Sequence, residues 1–160
     1  MAGNVKRIPE GCHSVTPHLT VRDASKAIAF YQKAFGAKEV RRSPGPDGRL
    51  MFAELQLGDS RFYLNDEFPE MGGKSPLALN GTPVVIHHYV EDVDRVFQQA
   101  LAAGATVRFP LADQFWGDRY GILVDPFGHH WAVASHVKDV TPADLAKAAE
   151  SFAAHSKPKT

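Results

Sequence analysis

The chain repeats itself. Pro17-His18-Leu19-Thr20-Val21-Arg22-Asp23 is echoed by Ile86-His87-His88-Tyr89-Val90-Glu91-Asp92 at an offset of 69 residues. Self-similarity at a fixed offset means that one supersecondary unit is used twice, and this constrains every later reading. After each copy, apolar residues recur at helical spacing. In the first, these are Ala27, Ile28, Tyr31, Ala34 and Phe35, stopped by Gly36; in the second, Val93, Val96, Phe97, Ala100 and Leu101, stopped by Gly104. Asp23 and Asp92 stand where a short acceptor satisfies the first free helix N–H groups. Each helix leads into three strands, near 37–43, 49–57 and 60–66, and near 105–109, 118–124 and 129–135. Gly45-Pro46-Asp47-Gly48, Gly58-Asp59 and Asp125-Pro126-Phe127-Gly128 are the turns between them. The pattern predicts an α+β fold of two β-α-β-β-β modules, over about 13–66 and 83–136. Residues 67–82, rich in Pro and Gly, form the linker. Thr141 and Pro142 open a final helix to about 154.

Length and composition narrow the partners. The 160 residues (17.5 kDa) fit a single domain over 1–160. At 44% hydrophobic and 22% charged the chain is globular, not disordered. Eighteen basic residues balance eighteen acidic ones, so no cationic surplus speaks for nucleic acid or anionic lipid. The longest apolar runs, such as Val84-Val85-Ile86, are far too short to span a bilayer. The first residues lack the apolar stretch of a secretion signal. With Cys12 alone, no internal disulfide can form. These features predict a cytoplasmic domain with neither nucleic-acid nor membrane partners.

Several segments, in order, resemble the vicinal oxygen chelate superfamily, which includes glyoxalase, bleomycin-resistance and dioxygenase proteins, and within it the PhnB-like branch. They are Thr16-Pro17-His18-Leu19, Ala27-Ile28-Ala29-Phe30-Tyr31 with Ala34-Phe35-Gly36-Ala37, Tyr89-Val90-Glu91-Asp92-Val93-Asp94, Phe115-Trp116-Gly117-Asp118-Arg119-Tyr120-Gly121, and Asp125-Pro126-Phe127-Gly128-His129-His130-Trp131. The resemblance covers roughly 13–136. It implies that the modules form an open barrel-like paired sheet, with helices on the convex side and a ligand cavity on the concave side. It also implies a homodimer.

Strand alternation then sorts the side chains. Val15, Leu19, Val21, Met51, Ala53, Leu55, Phe62, Leu64, Val84, Ile86, Trp131 and Val133 are assigned to the helix side. His18, Phe52, Glu54, Tyr63, His87, Tyr89, Trp116, Tyr120 and His130 are assigned to the cavity. Metalloenzymes of the superfamily hold a divalent ion with four His, Glu or Gln positions. By the resemblance these fall at Thr16, Tyr63, Val85 and Ala132, where none carries a His or carboxylate. No metal or other cofactor is therefore expected. The first functional expectation is binding of a small aromatic or planar ligand by Phe52, Tyr63, Tyr89, Trp116, Tyr120 and His130. The rival is a glyoxalase-like lyase or isomerase with His18, His87 and Glu54 as catalytic groups. These would act as a displaced metal site or as metal-free acid and base. Glu54 is expected to pair with Arg61 or another cation; the sharper alternatives are a desolvated carboxyl with a raised pKa and a counter-ion for a cationic ligand.

Overall fold

The computed structural model describes residues 5–155. The first module runs β1 (His18–Val21), α1 (Ala24–Phe35), β2 (Lys38–Pro44), β3 (Leu50–Leu57) and β4 (Ser60–Asp66). A 3-10 turn (Pro69–Met71) and the short α2 (Pro76–Leu79) occupy the linker. The second runs β5 (Val85–Tyr89), α3 (Val93–Ala103), β6 (Thr106–Asp113), β7 (Asp118–Val124) and β8 (His130–His136), and α4 (Pro142–His155) follows. Each module makes a four-stranded mixed sheet, in the orders β1-β4-β3-β2 and β5-β8-β7-β6. The first and last strands of each module pair in parallel, and the other pairs are antiparallel.

The helices start and stop for the reasons the sequence suggests. The Asp23 side chain accepts the Lys26 N–H, and Asp92 accepts that of Arg95. Gly36 and Gly104 close the two helices in the left-handed region, where a Cβ would be strained.

The modules share one core. α1 and α3 pack against each other, and aromatic rings bridge the two sheets. Trp131 of β8 lies with its ring centroid 5.3 Å from Tyr31, 4.8 Å from Phe35 and 5.8 Å from Phe62. Inside this core the Asp125 carboxylate accepts the Tyr31 hydroxyl at 2.7 Å and the Trp131 indole N–H at 2.9 Å. Its other oxygen accepts the backbone N–H groups of Phe127 and His129. α2 rests on the same turn: a Cβ on Gly128 would lie 2.9 Å from that of Pro76.

Three residues expected on the helix side lie outside the core. Val15 and Val84 are exposed because β1 and β5 begin only at His18 and Val85. Met51 is exposed and Leu50 is buried instead. A register shift between Ser43 and Pro44 sets Leu50 opposite Pro44, and the Leu50 N–H is held by the buried Asp66 carboxylate at 2.6 Å. β6 also runs four residues past its expected end at 109, carrying Pro110 on a sheet edge.

Candidate functional site

Register builds the polar face of the first module. Arg41 of β2 stands opposite Glu54 of β3, Glu54 opposite Tyr63 of β4, and Tyr63 opposite His18 of β1. Ala53 and Leu55 point into the core, so this four-residue row lies on the face away from α1. Glu54 is 4% exposed, which would be costly for an unpaired carboxylate. It accepts Arg41 Nε at one oxygen and Arg61 Nη1 at the other, both at 2.6 Å. Burial pushes its pKa up, but the Arg61 and Arg41 bonds outweigh burial and hold it below the ordinary carboxylate range. The pairing with Arg61 is therefore present, and the raised-pKa alternative is corrected. Beside this pair, the Phe52 and Tyr63 rings lie 4.9 Å apart, and His18 meets both edge-on at 6.2 and 5.8 Å. Cys12 Sγ lies 3.3 Å from the Tyr63 hydroxyl.

The corresponding row of the second module is Phe109, Ile122, Ala132 and His87. It carries no charged counterpart of Arg41 or Glu54. Its rings form a second group: His87 stacks on Tyr89 at 4.5 Å and lies 5.6 Å from Tyr120, which in turn meets Trp116 at 5.5 Å. The acid of this face sits at the start of β7. Asp118, 4% exposed, accepts the Tyr89 hydroxyl at 2.9 Å and lies 2.8 Å from His136 Nδ1. The other ring nitrogen of His136 lies 3.0 Å from Asp139 Oδ1. Burial raises the Asp118 pKa, but hydrogen bonds from His136, Tyr89 and Trp116 bring it below the usual value. The two carboxylates raise that of His136. His130 is buried, with Arg108 Nη1 at 3.0 Å from its ring; burial and then the Arg108 charge lower its pKa.

The three expected catalytic groups are thus divided. His18 and Glu54 belong to the first face, and His87 belongs to the second. Among the described residues no three His, Cys, Asp or Glu side chains converge in a way that could hold a metal ion. The four positions at which the resemblance places metal ligands do not fit one either. Val85 and Ala132 have no donor atom, and the Tyr63 hydroxyl is engaged with Cys12. Of the expected ligand-binding residues, Phe52 and Tyr63 share the first ring group, Tyr89, Trp116 and Tyr120 share the second, and His130 touches neither through a ring contact among the described residues. A cavity of about 400 Å³ runs between β5 and the β3–β4 turn, lined by Leu57, Arg61, Ile86, His87, His88 and Tyr89 among others. The sequence pattern does not single out Arg41 or His136. Arg41 lies in a strand without apolar alternation, and His136 lies just past the expected end of the last strand.

Comparison with known proteins agrees with this architecture. The family model described as the Glyoxalase/Bleomycin resistance protein/Dioxygenase superfamily matches residues 12–133. An uncharacterized protein of Mycobacterium tuberculosis strain H37Rv, Rv0887c, is 52% identical over 141 residues, covering 86% of this chain and 83% of its own. Among solved structures, an Arabidopsis thaliana gene product is 29% identical with a TM-score of 0.62, covering 76% of this chain and 98% of that one. TioX from Micromonospora sp. ML1 is 26% identical with a TM-score of 0.62, covering 78% and 99%. Among the described residues no helix is long and apolar enough to cross a membrane.

Proposed function

The chain belongs to the glyoxalase/bleomycin resistance protein/dioxygenase superfamily, and from that premise we propose that it binds a small planar, aromatic molecule without a resident metal. The observation that carries this reading is the division of its exposed-face aromatics into two ring groups, each set beside a buried, hydrogen-bonded carboxylate. The Tyr89 hydroxyl is fixed by Asp118, and the Arg41 guanidinium held by Glu54 lies over Phe52, which preorganises these rings; an apolar surface with a few fixed polar groups is what small-ligand recognition requires. Trp116 and Tyr120 offer stacking surface on one module, and Phe52 and Tyr63 offer it on the other. The segments around Thr16-Pro17-His18-Leu19 and Asp125-Pro126-Phe127-Gly128 favour the PhnB-like branch. Both open faces also favour a homodimer in which each face is closed by a second copy.

The test is a fluorescence titration. Trp116 is half-buried on the ligand-facing side, whereas Trp131 is sealed in the core. A bound planar aromatic should quench Trp116 emission saturably, and the effect should vanish in Trp116→Phe. If no member of a panel of one- to three-ring aromatic compounds changes the emission, or if quenching persists in Trp116→Phe, the face of the second module does not take the ligand; calorimetry with the same panel reads binding at either face, and no binding there overturns the reading. Light scattering after size exclusion tests the dimer.

A further inference from the structure

The repeat makes the two faces directly comparable, and they have diverged. At equivalent register the first module presents Arg41–Glu54–Tyr63–His18, where the second presents Phe109–Ile122–Ala132–His87. His87 keeps the place of His18, but the ion pair is found only in the first module. That ion pair is unbalanced. Two guanidinium groups face one carboxylate, leaving one positive charge in excess.

The two arginines are not equivalent. Arg61 gives Nε to Gln56 at 2.7 Å and Nη1 to Glu54 at 2.6 Å. It is also wedged against Gly11, where a Cβ would lie 2.7 Å from its Nε. Its side chain is 21% exposed, against 67% for Arg41. Arg61 therefore serves to neutralise Glu54. Arg41 spends only Nε on Glu54; among the described residues neither of its Nη groups is engaged. Its guanidinium carbon lies 5.3 Å from the centroid of the Phe52 ring. Glu54 and Phe52 together fix the fork, and its outer N–H edge faces outward beside an aromatic floor. A guanidinium fork of that kind matches the two oxygens of a carboxylate or phosphate.

From this we infer that Arg41 is the anion receiver of the first face, so that the ligand is a planar molecule carrying an oxyanion, with its ring system on Phe52 and Tyr63. Glu54 acts as a positioning residue that orients the fork. The inference deepens the planar-ligand reading and rests on it for the aromatic part only.

Three probes separate the two: 2-naphthoate, its neutral amide 2-naphthamide, and inorganic phosphate. Affinities are read by calorimetry, and the Arg41 side-chain Nε–Hε resonance by NMR. Naphthoate should bind roughly tenfold or more tighter than naphthamide, the scale on which charge-assisted hydrogen bonds exceed neutral ones. Arg41→Gln should abolish that preference, so that naphthoate and naphthamide then bind alike. Arg41→Lys, which keeps the charge and loses the fork, should retain only part of it. Equal binding of acid and amide, or a preference that survives in Arg41→Gln, overturns the anion site while the planar-ligand reading stands. If neither naphthalene binds but phosphate shifts the Arg41 resonance, the anion site stands and the planar reading falls. If none of the three acts, both fall.

Discussion

The Tyr31 hydroxyl donates to Asp125 Oδ2 at 2.7 Å, joining the helix of the first module to the last turn of the second across 94 residues of chain. Tyr31 is fully buried, and its pKa lies far above the ordinary value, through burial first and then the Asp125 charge. The hydroxyl therefore stays protonated and always donates. Tyr31→Phe removes one hydrogen bond to a charged group and leaves Asp125 with three donors, a loss of about 1.5–3 kcal/mol. Asp125→Ala strands the Tyr31 hydroxyl, the Trp131 indole and two backbone N–H groups in the core, and should cost more than about 3 kcal/mol. The double variant should cost less than the sum, because Tyr31 has nothing left to lose once Asp125 is gone. Urea unfolding of the four proteins measures all three statements.

That contact also shows where sequence reading stops. The Asp-Pro-Phe-Gly segment is legible as a turn, and Tyr31 as a core position of its helix, because both signals are local. Their pairing is a tertiary fact, and no spacing announces it. Helix ends at Gly36 and Gly104 and the two-module plan are legible for the same local reason. The Arg41–Glu54 row was not legible. β2 reads Lys38-Glu39-Val40-Arg41-Arg42, which has no apolar alternation to assign faces, and its pairing with β3 slips between Glu39 and Arg41. Only the register brings Arg41 opposite Glu54. The repeat gives His18 and His87 matching places, and the topology sets them on two different sheets.

The Asp118–His136 contact predicts an opposed pair of titrations. His136 has a raised pKa, so its share of stability is complete below about 6.5, the ordinary histidine value, and fades as pH rises through the folded one. Asp118 has a lowered pKa, so its share is complete above about 3.9 and fades as pH falls through its folded value. The pair is therefore fully formed in the interval between those limits. An NMR titration should place the His136 midpoint above that of a free histidine. In Asp118→Asn the midpoint should move down. A midpoint at the ordinary value in both proteins would mean that the contact does not form.

Gly117 has φ +101°, and a Cβ there would lie 2.0 Å from the Lys138 carbonyl oxygen. Its own carbonyl accepts the N–H groups of Val137 and Lys138. This close approach holds the loop carrying Trp116 against the segment after β8. Gly117→Ala combines backbone strain with a clash against backbone, and should cost more than about 3 kcal/mol. If the protein folds, the Trp116–Tyr120 contact should loosen. Thermal unfolding and Trp116 emission report the two effects separately, and an unchanged melting temperature would contradict the geometry.

His88 runs against the usual accounting of buried polar groups. Its Nδ1 is buried and has no hydrogen-bond partner among the described residues, and its ring meets Phe35 edge-on at 5.7 Å. Burial, and next the neighbouring His87, lower its pKa, so the ring is neutral where a free histidine would begin to take up a proton. Below about pH 6.5 the unfolded chain then binds a proton that the folded chain refuses, and stability rises with pH through that window. The sign is opposite to that of His136, which separates the two residues in one experiment. His88→Leu removes the unsatisfied nitrogen and keeps an apolar side chain against Phe35. It should leave stability unchanged or raise it at pH 8, and raise it further at pH 5.5, because the proton refused by the folded chain no longer exists to be bound. Urea unfolding at both pH values reads the difference. A variant less stable than the parent at pH 5.5 would show that Nδ1 has a partner in solution, in the cavity that His88 lines beside β5.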